Sequence, residues 1–168
     1  MELKKMLEEC GAVRYGDFTL TSGKKSKYYV DIKKASTRPD VLRAIAREMA
    51  VFADGDRVAG MELGAVPLAA ALSLEIDLPF VMVRKKPRTH GTGSRLEGDL
   101  EPGDRVIIVE DVATTGGSSV ETVKVLREAG AVVEKVLVVV DREEGALENL
   151  REMEIELIAL VKARDLLS

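Results

Sequence analysis

The chain is poor in the side chains that build disulfide frameworks and histidine-based catalytic sites, with one cysteine and one histidine in 168 residues. The lone Cys10 cannot form an internal disulfide bond, and its place on the apolar face of a predicted N-terminal helix favours a buried structural thiol. The sequence offers no Ser–His–Asp set, and therefore no obvious covalent nucleophile.

Long apolar runs and an excess of positive charge are missing as well. No run approaches the roughly 18 residues that are needed to span a bilayer, and residues 1–10 lack the apolar core of a signal peptide. The formal net charge of -4 argues against a dedicated nucleic-acid-binding protein. We therefore expect a cytoplasmic protein with neither a nucleic-acid nor a membrane partner.

Short apolar runs without alternation indicate the fold class. They lie at Val58–Met61, Phe80–Val83, Val106–Val109, Val136–Val140 and Ile155–Val161. Runs of this length suit strands that are covered on both faces, and helical stretches at 66–74 and 118–129 lie between several of them. The sequence predicts an α/β fold with a parallel sheet and right-handed crossovers.

The first 35 residues do not follow this rhythm. Helical spacing predicts a short helix over 2–10, and extended pieces are expected at 18–20 and 28–33. Pro39 then opens a further helix. We predict one domain, 1–168, with a small hood at 1–35 and an α/β core at 36–168.

The segment Val106–Ser118 (VIIVEDVATTGGS) carries the strongest chemical signal. A buried strand ends in Glu110 and Asp111, and a Thr/Gly-rich turn then enters a helix. The unpaired N–H groups of a helix start favour a phosphate, whereas paired carboxylates accept hydrogen bonds from vicinal hydroxyls. The pattern indicates a ribose 5-phosphate site; the alternative is a plain turn after two strand-end charges. Neither a P-loop nor a Gly-x-Gly-x-x-Gly fingerprint is present.

A basic, glycine-rich loop at 84–98 is the second signal. It holds five Lys/Arg and one Glu, and five minus one gives +4 in a chain of net charge -4. With Leu96 as its only large apolar residue, it cannot pack a core, so we expect a mobile lid that closes over pyrophosphate. The alternatives are a solvated loop and a nucleic-acid patch. The lone His90 lies in this loop, and because a polar loop offers no core to join, we favour a functional role over the structural role that a lone histidine more often has.

These motifs resemble those of a known family. Residues 106–118 are similar to the phosphoribosyl pyrophosphate (PRPP) signature of the type I phosphoribosyltransferases, and the Arg84-Lys85-x-x-Arg88-x-His90-Gly91 pattern looks like the catalytic loop of the orotate phosphoribosyltransferases. Residues 18–26, 60–67 and 141–145 resemble further elements of that family, so the likeness covers about residues 17–145. The chain departs from it at Arg88 and Thr21, where lysines are usual.

The resemblance implies a type I phosphoribosyltransferase fold with an N-terminal hood. It implies that PRPP and orotate react to orotidine 5′-monophosphate and pyrophosphate, a step of pyrimidine biosynthesis. Mg²⁺ would be bound mainly through PRPP, with no dedicated protein ligands. A homodimer is implied, with Lys85 reaching the neighbouring site.

The resemblance also assigns residues. The catalytic set is Arg84, Lys85, Arg88, His90 and Asp111. The PRPP set is Arg84, Lys85, Arg88, His90, Glu110, Asp111, Val112, Ala113, Thr114, Thr115, Gly116, Gly117 and Ser118. Orotate would contact Thr114 and Arg142, and Tyr28 and Tyr29 are candidates to cover the base. For Arg142, a salt bridge to Glu143 or Glu144 is the alternative.

Two other functions remain open from the sequence. A phosphoribosyltransferase for adenine, xanthine or uracil would keep the 106–118 segment but is expected to lose the lid motif and Asp141-Arg142. A PRPP-sensing transcriptional regulator would need an added helix-turn-helix segment, and only about 17 residues precede the Phe18 element. The residues favour the enzyme that acts on orotate.

Overall fold

A computed structural model gives the structure of residues 1–91 and 93–168. The elements in chain order are α1 (Glu2–Glu9), β1 (Val13–Thr19), β2 (Lys25–Val30), α2 (Ile32–Ser36), α3 (Pro39–Ala50), β3 (Arg57–Met61), α4 (Ala65–Ile76), β4 (Phe80–Val83), β5 (Leu96–Glu97), β6 (Arg105–Ala113), α5 (Gly117–Glu128), β7 (Val132–Asp141), α6 (Ala146–Arg151), β8 (Glu156–Lys162) and α7 (Ala163–Leu167).

The central sheet has six strands in the order β5-β4-β3-β6-β7-β8. Strands β3, β4, β6, β7 and β8 pair in parallel, as the apolar runs predict. Strand β5 pairs antiparallel with β4, through Met82 opposite Glu97 and Val83 opposite Leu96. This edge strand was not predicted, because two residues at the end of a polar loop form no apolar run.

Each face of the sheet is covered by its own helices, and β6 shows how the sequence achieves this. Side chains alternate along a strand, so Ile107 and Val109 join one buried cluster while Val106 and Ile108 join the other. The first cluster includes buried residues of α1, α3 and α4, and the second includes those of α5 and α6. Burial on both faces explains why residues 106–109 of this strand are apolar without interruption.

The hood consists of α1 and the antiparallel β1–β2 hairpin. Leu3 and Leu7 of α1 are buried in the same cluster as α3. The extended piece predicted at 28–33 is wrong beyond Val30, because the Asp31 side chain accepts a hydrogen bond from the Lys34 N–H (3.4 Å) and starts α2. The predicted boundary between hood and core, at residue 35, falls inside that helix.

The parallel strands bring four loops to one edge of the sheet, since their carboxyl ends point the same way. These loops follow β3, β4, β6 and β7. Within the described residues, none of the helices has the length and apolarity that crossing a membrane requires.

Candidate active site

Two adjacent carboxylates on β6 form the base of the site. Glu110 is 6% exposed, and its oxygens accept hydrogen bonds from Ser119 Oγ (3.3 Å) and from the Asp111 N–H (3.2 Å). Asp111 is more open and pairs with Lys33 Nζ at 3.9 Å. The strand does not end at these acids, as the sequence suggested, but continues through Val112 and Ala113, which pair with β7.

Burial makes the Glu110 carboxyl a weaker acid than an ordinary glutamate. Loss of solvent raises the pKa of its carboxyl to about 8, and the nearby Asp111 carboxylate acts in the same direction. A carboxyl of this kind carries a proton near neutral pH, so it can donate as well as accept hydrogen bonds. Asp111 and Glu110 therefore offer different chemistry to a diol, although they are neighbours in sequence.

The turn after β6 forms a cradle at the start of α5. Gly116 takes a positive φ of 84°, and α5 begins at Gly117 with N–H groups that lack partners within the helix. A cavity of about 230 Å³ lies here, lined by Glu110, Val112, Ala113, Thr114, Thr115, Gly116, Gly117, Ser118 and Ser119. Its shape and donors suit a phosphate group.

Helix α6 supports this turn from behind. Asn149 Nδ2 donates a hydrogen bond to the Thr115 carbonyl (2.7 Å). A Cβ at Gly116 would lie 3.2 Å from Ala146, so the turn and the helix are in close contact. Asn149 was missed from the sequence, because nothing local relates it to a loop 34 residues earlier.

A larger cavity of about 510 Å³ lies between the hood and the core. Its walls are Thr19, Leu20, Thr21, Ser22, Lys24, Tyr29, Val30, Asp31, Ile32, Lys33, Asp111, Val112, Thr114, Thr115, Arg142 and Glu144. Val112, Thr114 and Thr115 line both cavities, so the two spaces adjoin at the turn. A molecule that reaches from a phosphate to a planar base fits this arrangement.

Arg142 projects into the larger cavity and is firmly held. Its Nε pairs with Glu144 Oε2 (3.2 Å), its Nη2 donates to Ser26 Oγ (3.2 Å), and its guanidinium lies 4.3 Å from the centre of the Tyr28 ring. The salt bridge to Glu144, left as the alternative from the sequence, is present. Tyr28 is buried and packs on Arg142, whereas Tyr29 lines the cavity.

The loop after β3 approaches Asp111 closely at Gly64. A Cβ at this position would lie 2.2 Å from Asp111 Oδ2, so a larger residue would displace the Asp111 carboxylate. In the same loop, Glu62 Oε1 accepts a hydrogen bond from the Lys85 N–H (2.7 Å). The loop therefore contacts both the ribose-binding candidate and the base of the predicted lid.

Two arginines of the predicted lid pair with Glu97, the acidic residue of the same loop. Arg84 Nε lies 3.1 Å from Glu97 Oε1, and both Nε and Nη2 of Arg88 pair with the same oxygen. These pairs lower the pKa of Glu97, with the Arg88 hydrogen bond as the largest cause. Arg95 joins the loop ends by donating to the carbonyls of Arg84 (3.0 Å) and Lys85 (2.7 Å).

The predicted site residues that line cavities form two groups in the structure. Residues 110–118 and Arg142 surround the two adjoining cavities. Arg84, Arg88 and His90 line a third depression of about 380 Å³, with Thr89 and Gly91. Thr92, which the predicted lid includes, lies outside the described residues.

Comparison with known proteins agrees with this geometry. A family model described as a phosphoribosyl transferase domain matches residues 38–156. A curated orotate phosphoribosyltransferase from Methanosarcina mazei is 59% identical, over 99% of this chain and 90% of its own length.

Solved structures of the same kind are similar throughout. The orotate phosphoribosyltransferase of Aeropyrum pernix is 37% identical, with a TM-score of 0.85 over 98% of this chain and 96% of its own. That of Mycobacterium tuberculosis, solved in complex with PRPP, is 31% identical, with a TM-score of 0.79 over 99% of this chain and 98% of its own. The chain belongs to the orotate phosphoribosyltransferase family. The fold class and the enzyme class expected from the sequence are thereby confirmed.

The acidity of Glu110 in this phosphoribosyltransferase predicts a pH effect on stability. Its folded-state pKa of about 8 exceeds the ordinary value of 4.5, so the folded state holds a proton that the unfolded chain releases between these values. The free energy of unfolding should then fall as pH rises from about 4.5 to 8. Glu110→Gln, which keeps a neutral side chain, should remove that part of the pH dependence and be more stable than the unchanged protein above pH 8.

Urea unfolding at pH 5 and pH 8.5 measures the effect. Each unit of pKa shift corresponds to about 1.4 kcal/mol, so the Glu110→Gln variant should gain up to a few kcal/mol relative to the unchanged protein between these pH values. Glu134→Gln, at an exposed position near the start of β7, is the matched control. Equal pH dependence in all three proteins would show that Glu110 titrates normally.

Proposed function

We propose that this protein transfers the 5-phosphoribosyl group of PRPP to orotate, and that the residues of the two adjoining cavities bind the substrates. The observation that carries the proposal is the arrangement around β6. Asp111 and Arg142 line the larger cavity, and the 114–118 turn lines the smaller cavity beside it. This arrangement suits a ribose that carries a 5-phosphate on one side and meets an anionic base on the other. Membership of the orotate phosphoribosyltransferase family supports the same reading.

PRPP would lie across the start of α5. The backbone N–H groups of 115–118, with the hydroxyls of Thr114, Thr115 and Ser118, would hold the 5-phosphate. Val112 and Ala113 contribute the backbone that leads into this turn. Asp111 would accept hydrogen bonds from the ribose hydroxyls, while Glu110 supports the turn through Ser119 and the Asp111 N–H.

Orotate would enter the larger cavity from the hood side. Thr114 reaches the ring from the turn, and Arg142 supplies a cation that Ser26 and Tyr28 already orient. Because Arg142 is positioned before the substrate arrives, little side-chain freedom is lost on binding. Placing orotate N1 in line with C1 of the ribose is then the main task of the site.

The lid would act on the leaving group. Arg84 and Arg88 would exchange Glu97 for the pyrophosphate oxygens, and His90 would donate a hydrogen bond to the same group. Arginine at 88 can chelate a phosphate through two N–H groups. These contacts stabilise charge that develops on pyrophosphate as the C1–O bond breaks, which is the kind of electrostatic help that a dissociative reaction needs.

Mg²⁺ fits this site as an ion held largely by substrate. Among the residues described, no group of three or more His, Cys, Asp or Glu side chains is placed to hold a metal ion. The oxygen-rich chemistry of Asp111 and of the substrate phosphates matches the preference of Mg²⁺. When bound, Mg²⁺ would neutralise charge on pyrophosphate.

We further propose a homodimer in which Lys85 serves the neighbouring site. The Lys85 backbone is anchored to its own subunit through Glu62 and Arg95. Its side chain belongs to the lid that carries Arg84 and Arg88. Lys85 lies at the start of the lid, so its side chain can serve a different site from Arg88, which lies further along the lid.

An absorbance assay tests the function. Purified protein with PRPP and Mg²⁺ should change the absorbance of orotate and release pyrophosphate, whereas adenine, uracil and hypoxanthine in parallel should give no product. Turnover of another base with orotate inert would overturn the proposal.

The pairing of Glu97 with two lid arginines predicts that removing the Glu97 carboxylate strengthens the binding of PRPP. Glu97→Gln should lower the KM for PRPP severalfold, because Arg84 and Arg88 no longer have to leave a carboxylate before they bind pyrophosphate. Steady-state rates measure the effect, with Glu101→Gln as a control outside the lid. A KM that rises in Glu97→Gln alone would mean that Glu97 positions the lid for binding.

The homodimer predicts complementation. A Lys85→Ala subunit and an Asp111→Asn subunit would each be defective, in different halves of a shared site. In an equal mixture with free exchange, half of the dimers are mixed and each has one intact site. About a quarter of the unchanged activity should then return. Activity no higher than that of the parents, with exchange confirmed, would mean that Lys85 serves its own subunit.

A further inference from the structure

Cationic side chains line the larger cavity, and neither the sequence nor the family resemblance assigns a role to Lys33. Its cationic wall residues are Lys24, Lys33 and Arg142. Lys24 and Arg142 both pair with Glu144, at 3.8 and 3.2 Å. Lys33 instead pairs with Asp111, the carboxylate on the ribose side of the cavity. The three cations therefore divide between two carboxylates that line the same cavity.

The backbone of Lys33 is held in place by the short helix α2. Its neighbours Ile32 and Ala35 are 1% and 0% exposed, so the helix is anchored in the core. The Asp31 side chain caps the helix through the Lys34 N–H (3.4 Å). The Lys33 side chain, half exposed, extends from this fixed backbone to within 3.9 Å of Asp111 Oδ2.

The chemistry of orotate decides which cation meets which group. Its carboxylate is attached to the ring carbon next to N1, the atom that bonds to C1 of the ribose. When N1 attacks C1, the carboxylate must therefore lie close to the ribose, whereas the carbonyl edge of the ring points away. If Asp111 holds the ribose hydroxyls, the cation beside Asp111 is the one nearest to the carboxylate.

We infer that Lys33 binds the carboxylate of orotate and that Arg142 binds the carbonyl edge of the ring. The inference rests on the proposed function, since Asp111 marks the ribose in that proposal. Lys33 would leave Asp111 when the ribose hydroxyls take its oxygens, and would pair with the incoming carboxylate. The two cations then hold the ring at both ends and fix its orientation towards C1.

Two nucleotides that differ only in the carboxylate provide the test. Orotidine 5′-monophosphate and uridine 5′-monophosphate share the phosphate, the ribose and both carbonyls, so both should bind the full chain measurably in calorimetry. The unchanged protein should prefer the orotidine nucleotide. In Lys33→Met, which keeps most of the apolar stem, affinity for it should fall on the order of 10- to 100-fold through loss of a charge-assisted hydrogen bond. Affinity for the uridine nucleotide should not change.

Two further variants separate binding from structure. Lys34→Met removes the adjacent exposed lysine of the same helix and should leave both affinities unchanged. Lys33→Arg keeps a cation and should retain a preference for the orotidine nucleotide. In steady-state assays, Lys33→Met should raise the KM for orotate far more than the KM for PRPP.

Other outcomes overturn the inference. Equal weakening of both nucleotides by Lys33→Met would mean that Lys33 acts on the ribose through Asp111, and no weakening would remove it from the site. Failure of the proposed function is seen separately, because the unchanged protein would then not convert orotate at all.

Discussion

Burial of the Glu110 carboxyl beneath the start of α5 is the constraint on which the site depends. A buried acid must either be paired or carry a proton, and here Ser119, the Asp111 N–H and the raised pKa share that task. The same contacts tie β6 to the first turn of α5, so they fix the turn between them. Asp111 can then remain open to the cavity, because its neighbour bears the cost of burial.

This arrangement leaves no room for larger side chains nearby. A Cβ at Gly64 would collide with the Asp111 carboxylate and displace it, and Gly116 lies against Ala146 of α6. Helix α6 follows the Arg142 loop directly and holds the Thr115 carbonyl through Asn149. This one short helix therefore links the Arg142 loop to the 114–118 turn.

Much of this could be predicted from the sequence where a signal is local. The parallel strands follow from uninterrupted apolar runs, and the acids and turn of 106–118 lie next to one another in the chain. The short elements α2, α6, α7 and β5 were missed, because two to six residues carry too little periodicity. Lys33 and Asn149 were missed for another reason, namely that their partners, Asp111 and Thr115, lie far away in sequence.

Carboxylates of the chain pair with the cations of the candidate site, and only the pairing of Arg142 with Glu144 was considered from the sequence. Glu97 holds Arg84 and Arg88, Glu144 holds Arg142 and Lys24, and Asp111 holds Lys33. No local pattern distinguishes such an acid from an ordinary surface charge, so only the folded structure shows it.

These internal pairs also reduce the repulsion among the cations of the candidate site. Like charges that face one cavity repel, and each carboxylate offsets that repulsion while it fixes a side chain near its working position. Exposed ion pairs are weak, with typical values up to about 1 kcal/mol, so under the proposed function a multiply charged pyrophosphate would displace Glu97 from the half-exposed lid arginines at little cost. Arg142 differs, because its side chain is only 9% exposed and three groups hold it. Under the proposed function the lid arginines would exchange partners, whereas Arg142 would keep its position.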